Sequence, residues 1–244
     1  MGTTVVTQAI AEVSPRFKAR IAGVCEFLEG LTSAWGQVLV IGGLVVAGDA
    51  AATARNIMAH ELLFRLGFAS CLIAVLFHIA WAFLFYDLFQ AVNRKLSAVA
   101  AAVILVGCAI QAVTCLLYLA PLLFLRTADS VSAFTTAQLQ QLALRFVDLN
   151  GQAFDLYLVF FGFWCILIGY LIFRSRFMPR ILGVLLAISG LGWAMFLAPP
   201  FAHHMFPYIA AASAVGEIPL QLWLLVFGVN NQRWHEQARI SMAH

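Results

Sequence analysis

Long apolar runs separated by short polar stretches set the pattern of the chain. Six can be drawn: Ile21 to Val46, Gly67 to Phe89, Leu96 to Leu125, Gly151 to Phe173, Ile181 to Leu197 and Phe206 to Val229. A hydrocarbon core of about 30 Å needs roughly 20 apolar residues at about 1.5 Å per residue, so the runs read as spanning helices, the fifth being the shortest. The period-two alternation of a membrane barrel is absent, and helices are then the spanning structure that satisfies its own backbone. The pattern predicts an all-α polytopic membrane bundle with a cytoplasmic segment 1–20, a six-helix transmembrane domain 21–229 and a cytoplasmic tail 230–244.

Two of the intervening stretches carry their own helical signals. Asp49 caps Ala50 to Arg65, and Thr135 with Gln138 makes a capping-box pattern ahead of Thr136 to Asn150. In the second stretch Leu139, Leu142, Ala143, Phe146 and Val147 line one face, opposite Gln138, Gln141, Arg145 and Asp148. Both are expected as short amphipathic helices at the outer membrane interface. At an offset of 80 residues Asp49 matches Asp129, Glu61 to Leu66 matches Gln141 to Phe146, and Arg94 matches Arg174, which predicts a duplicated helical hairpin.

Composition strengthens the membrane reading. The chain is 63% hydrophobic and only 10% charged, with a mean hydropathy of +0.94; a water-exposed surface cannot be built from so few polar residues. Basic residues set the orientation. Arg16, Lys18, Arg20, Arg94, Lys95, Arg174, Arg176, Arg180, Arg233 and Arg239 fall on one side if the spans alternate, and only Arg55, Arg65, Arg126 and Arg145 fall on the other. Both termini are therefore expected in the cytoplasm. The net charge of +3 follows from this orientation, and a nucleic-acid partner is not expected, because no basic stripe with interleaved aromatics lies outside the spans. The first run is too long for a signal-peptide core and carries two glutamates, so it is expected to be retained.

Candidate chemistry rests on the few polar residues within the runs. Glu217 stands out, flanked by Gly216 and Pro219, about 16 Å along its run when counted from Phe206. A charge at that depth costs about 2.5–3.5 kcal/mol on insertion scales. Pro219 cannot donate to the carbonyl of Val215, so a bend is expected there. One reading makes Glu217 the floor of an outward-facing polar cavity with Asp155, Arg65, Glu61 and His60 towards its mouth; the other ties it to a neighbouring helix. Glu26, Glu29 and His78 form an inner group fit for a proton relay. Glu26 and Glu29 are three residues apart on one helical face, and two such carboxyl groups do not both ionise easily. In a plainer reading Glu26 reaches back to Arg20 and Asp87 to Lys95.

Other chemistries find less support. His203 and His204 are adjacent on a loop and have no second histidine or glutamate at metal-ligand spacing, so no metal and no cofactor are expected. Cys25, Cys71, Cys108, Cys115 and Cys165 all lie within the runs and read as packing residues. Ser70 and Ser189 have no nucleophile-elbow context, and phosphate-binding glycine loops are absent.

Several ordered segments resemble a bacterial membrane family catalogued as domain-of-unknown-function family 4386. They are Gly48-Asp49-Ala50 through Arg55-Asn56-Ile57, Glu61 to Gly67, Phe154-Asp155 with Phe160-Phe161-Gly162, Gly169-Tyr170-Leu171-Ile172 with Pro179-Arg180-Ile181-Leu182-Gly183, and Gly216-Glu217 with Leu222-Trp223-Leu224-Leu225. The resemblance covers roughly Phe17 to Asn230 and implies a multi-pass protein of the bacterial inner membrane, with no catalytic residues to transfer. The expected function is a non-enzymatic membrane protein, with lipids as its surroundings, that binds or passes a small amphipathic molecule, lipid or proton. The alternatives are an intramembrane hydrolase or transferase with a carboxylate base, and a structural or regulatory membrane subunit.

Overall fold

A computed structural model describes residues 14–126 and 133–242. Among these the chain is all helical, and five helical segments are long and apolar enough to cross a membrane. In chain order, α1 is Pro15–Leu44, α2 is Ala50–Ala59, α3 is Glu61–Arg126, α4 is Thr136–Arg174, α5 is Arg180–Leu197, α6 is Pro199–Val226 and α7 is Asn231–Met242. The 66-residue α3 consists of two arms meeting at Asn93, whose φ of −157° and ψ of 106° are not helical. Asn93 accepts from the amide of Leu96 at 2.9 Å, capping the second arm as an N-cap residue does.

The predicted interfacial helices are realised differently. Ala50 to Arg65 is broken at His60, whose φ of −119° and ψ of 39° end α2, so Glu61 to Arg65 open α3. Thr136 to Asn150 is not a separate short helix but the first half of α4. The capping box at Thr135 and Gln138 forms, and the predicted apolar face is the packed one: Leu139, Ala143 and Val147 are buried while Gln141, Arg145 and Asp148 are exposed. That face meets protein, with Phe146 against Phe124 at 5.0 Å between ring centroids. Continuity through Asn150 has a physical cause. Its amide, which in a turn would seek its own backbone, instead donates to the carbonyl of Thr114 on α3 at 2.7 Å. Of the hairpin repeat, Asp129 lies outside the described residues. The tail expected after Asn230 contains α7, which packs back on the bundle through a bond from Trp234 Nε1 to the carbonyl of Leu88 at 2.8 Å.

The most deeply packed span is α4, with 61% of its most apolar window inside the protein. Its Tyr157, Phe161 and Trp164 meet the rings of His78, Trp81 and Phe85 of the first arm of α3 in edge-on or tilted contacts. On the other flank α4 and α5 meet backbone to backbone. A Cβ on Gly190 would lie 2.5 Å from the carbonyl oxygen of Gly162, and one on Gly169 would lie 2.6 Å from that of Gly183. The small residues of the fifth run thus serve close helix approach. Away from these contacts the spans expose large apolar side chains, among them Leu31, Leu76, Leu116, Leu191, Val215 and Leu222, a surface suited to lipid.

The predicted bend at Pro219 does not interrupt α6, which runs through Pro207 and Pro219 to Val226. It ends at Gly228, whose φ of +65° allows its amide to reach the carbonyl of Trp223 at 3.0 Å. The basic residues gather at this end: Arg16 Nε donates to Phe227 O at 3.0 Å, Arg20 Nη2 to Val226 O at 2.7 Å, and Lys18 pairs with Asp87. Two ion-pair expectations are corrected here. Asp87 takes Lys18 rather than Lys95, because the break at Asn93 carries Lys95 onto the second arm. Arg20 caps the carbonyl end of α6, where a cation complements the helix dipole, and leaves Glu26 buried.

Replacing Gly190 by Leu should separate α4 from α5 and lower the unfolding free energy in detergent by about 1–3 kcal/mol or more. Gly30→Ala, at a helical glycine whose added Cβ would have nothing within 4 Å, should leave it unchanged or slightly raised. Thermal or denaturant unfolding of both variants checks this.

Candidate functional site

Glu217 owes its surroundings to Gly216. A Cβ at Gly216 would lie 2.6 Å from the carbonyl oxygen of Leu185 and 2.8 Å from Cβ of Ser189, so α5 and α6 touch here without intervening side chains. That contact brings Ser189 and Trp193, one helical turn apart on α5, onto the carboxyl group. Ser189 Oγ donates to Glu217 Oε1 at 2.5 Å and Trp193 Nε1 donates to the same oxygen at 2.7 Å. Ser213 Oγ lies 3.3 Å from Ser189 Oγ and extends the network. Glu217 therefore faces a partner helix.

The structure regroups the acids. Glu217 lies within electrostatic reach of Glu26 and Glu29 on α1, and Gln221, one turn further along α6, lies beside Glu26. Glu26 and Glu29 are buried, as expected from their common face. Among the described residues no lysine or arginine forms an ion pair with any of the three. From Glu29 the network continues across α3. Gln111 Nε2 donates to Glu29 Oε1 at 3.2 Å, and Gln111 Oε1 lies 2.9 Å from His78 Nδ1. An amide oxygen only accepts, so His78 carries its proton on Nδ1. His78 Nδ1 is also 3.7 Å from Glu29 Oε1, which makes the inner group of Glu26, Glu29 and His78 contiguous. Two atoms of this cluster, Glu26 Oε2 and His78 Nε2, are buried without a hydrogen-bond partner. His78 is stacked on Trp81 at 4.4 Å between ring centroids, so its ring is held in place.

The residues expected at the cavity mouth separate into two pairs. Asp155 Oδ2 on α4 is 2.9 Å from His203 Nε2 on α6. Glu61 Oε1 accepts from Arg65 Nε at 2.8 Å and lies 3.6 Å from Arg126 Nη2. His60 is exposed at the end of α2, and His204 is exposed on α6. Among the described residues no group of three histidine, cysteine, aspartate or glutamate side chains is placed to hold a metal. A chain of ring contacts joins the Asp155–His203 pair to Glu217: His203 against Phe196 at 5.4 Å, Phe196 against Trp193 at 6.1 Å, and Trp193 on the carboxylate. Phe196 is buried, so this path is filled by side chains.

Gln111, Ser189, Trp193 and Gln221 were not expected at the site. Only Ser189 drew notice in the sequence, as a serine without a nucleophile context. A polar residue within an apolar run, one or two turns from others of its kind, is the signal that Gln111 and Thr114 on α3 and Gln221 after Glu217 on α6 carry.

No curated protein and no solved structure matches the chain. The model of a family described as a domain of unknown function, DUF4386, matches residues 21–228, from within α1 to just short of α7. The chain carrying this carboxyl cluster belongs to that family.

Proposed function

We propose that this is a six-span inner-membrane protein, with both termini cytoplasmic, that takes up and releases a proton at the Glu26–Glu29–Glu217 cluster while binding or passing a small amphipathic molecule. In this reading the two arms of α3 are separate spans, the start of α4 and the whole of α2 lie at the outer interface, and the hairpins are related by duplication. The observation that carries the proposal is the approach of three carboxyl groups within the bundle without a lysine or arginine among the described residues paired to them. An ionised carboxylate in such surroundings is expensive, and three close together more so; a held proton is the economical solution. Glu26 Oε2 and His78 Nε2, both lacking partners, are atoms at which a proton or a water can be exchanged. The Asp155–His203 pair and the aromatic chain behind it mark the outer approach, which opens when Phe196 and Trp193 move.

A second reading has its own support. The two donors on Glu217 make it a tie between α5 and α6, as expected of a structural or regulatory membrane subunit.

Purified protein in vesicles with an entrapped pH dye distinguishes the two. After an imposed pH step the wild type should equilibrate faster than protein-free vesicles, and Glu26→Gln and Glu217→Gln should fall to the protein-free rate; equal rates for wild type and both folded variants would remove the proton role. Stability gives the complementary result. Glu217→Leu strips the acceptor from Ser189 and Trp193 and should cost about 1–3 kcal/mol, whereas Glu217→Gln, whose oxygen still accepts, should stay within about 1 kcal/mol of wild type. A Gln variant as unstable as the Leu variant favours the structural reading.

A further inference from the structure

The geometry points to a phosphate-binding cleft at the basic end, between α7 and the turn joining α4 to α5, that takes the headgroup of an anionic phospholipid. The cleft has a volume of about 420 Å³ and is lined by Val92, Phe173, Arg174, Arg176, Arg180 and Gln237. Three exposed guanidinium groups surround one space, and among the described residues none of them is in an ion pair with a carboxylate. Guanidinium groups bind phosphate oxygens through paired N–H donors, which an isolated positive surface does not require.

The surroundings prepare these side chains for a ligand. Gln237 of α7 accepts from the amide of Arg176 at 2.9 Å and donates to the carbonyl of Arg174 at 3.4 Å, so the turn's backbone is held by α7 while its side chains remain available. Arg180 lies over the ring of Phe173, 5.6 Å from its centroid. It also opens α5, whose first turn has no side-chain cap, although the amide of Leu182 donates to the carbonyl of Pro179 at 3.2 Å. Glu236 lines an adjoining cleft with Arg176, Arg180 and Arg233 and accepts from Gln232 Nε2 at 3.2 Å.

The choice of a lipid over a soluble phosphate comes from the wall of the cleft. Phe173 is 44% exposed, and from Arg180 an exposed apolar stripe of Ile181, Val184 and Ile188 runs along α5. Polar headgroup contacts and an acyl-chain track thus begin at the same residue. Basic clefts at the ends of spans are a recurring way of holding anionic headgroups. This inference is independent of the proton reading, since it shares no residue with the carboxyl cluster.

Native mass spectrometry of the full chain in neutral detergent tests it, using phosphatidylglycerol and phosphatidylcholine with identical acyl chains, and inorganic phosphate in a separate arm. Phosphatidylglycerol should be retained about tenfold over phosphatidylcholine, as expected for charge-assisted bonds. R174Q/R176Q/R180Q should abolish that preference and R180Q alone should reduce it, with unfolding midpoints unchanged, while R145Q at the other end of α4 should leave it intact. Equal retention of the two lipids, or a preference untouched in R180Q and in the triple variant, overturns the site. Binding of inorganic phosphate without preference between the lipids overturns the assignment to a headgroup.

Discussion

Close backbone contact between α5 and its two neighbours is the constraint on which the rest of the bundle depends. Gly162 meets Gly190 and Gly169 meets Gly183 on one side, and Gly216 meets Leu185 and Ser189 on the other. Between helices in lipid there is little hydrophobic drive to association, so packing at short range and interhelical hydrogen bonds have to supply it. Glycine supplies the first by removing the side chain that would hold backbones apart. The second follows from it, because only at this separation can a serine hydroxyl on α5 reach a carboxylate on α6. The Gly216-Glu217 pair is therefore one device: the glycine sets the distance and the glutamate uses it.

Burying Glu26 and Glu29 and half-burying Glu217 is costly, and the structure offsets that cost unevenly. Glu217 receives two donors on one oxygen and Glu29 receives one from Gln111, but Glu26 keeps an oxygen without a partner. A cluster built only to tie helices would be expected to complete its hydrogen bonds, since a half-satisfied buried network is less favourable than an apolar core. Glu26 is also the acid influenced by Glu29, Glu217 and Gln221 together. In the proposed reading, its partnerless oxygen and the partnerless Nε2 of His78 are where a proton is exchanged.

The sequence made the spans legible because length and hydropathy are one-dimensional properties. The polar gap between the second and third runs, the capping box at Thr135 and the packed face of Leu139, Ala143 and Val147 could all be read locally. The limit of local reading appears at Asn150, where a polar residue before a glycine looks like a helix end. Its amide is satisfied by Thr114, 36 positions away, and the helix continues. Glu217 fails for a related reason. Counted from Phe206 it falls on the outer half, yet counted from Val229 it lies about 18 Å from the basic end, against about 12 Å for Glu29 counted from Ile21. Antiparallel spans make those depths comparable, but which faces meet depends on packing, and no single helix encodes that. Trp193 and Gln111 were missed because tryptophan and glutamine in an apolar run announce no partner until the partner is in place.

What fixes the facing of α1 against α6 lies at the basic end. Arg16 and Arg20 donate to the last carbonyls of α6, at Phe227 and Val226, and a Cβ on Gly23 would fall 2.8 Å from Cβ of Leu224. A slip of one residue along either helix displaces a side chain by about 1.5 Å and turns it by about 100°. Such a slip would remove both arginine caps and turn Glu26 away from Gln221 and Glu217. The cations of the basic end thus also set the register in which the acids meet. This coupling accounts for arginines donating to backbone carbonyls at a helix end while Glu26, six residues from Arg20, has no cation of its own. In that position the cations satisfy the C-terminal carbonyls of α6, and the carboxyl cluster draws its partners from hydrogen bonds to Ser189, Trp193 and Gln111.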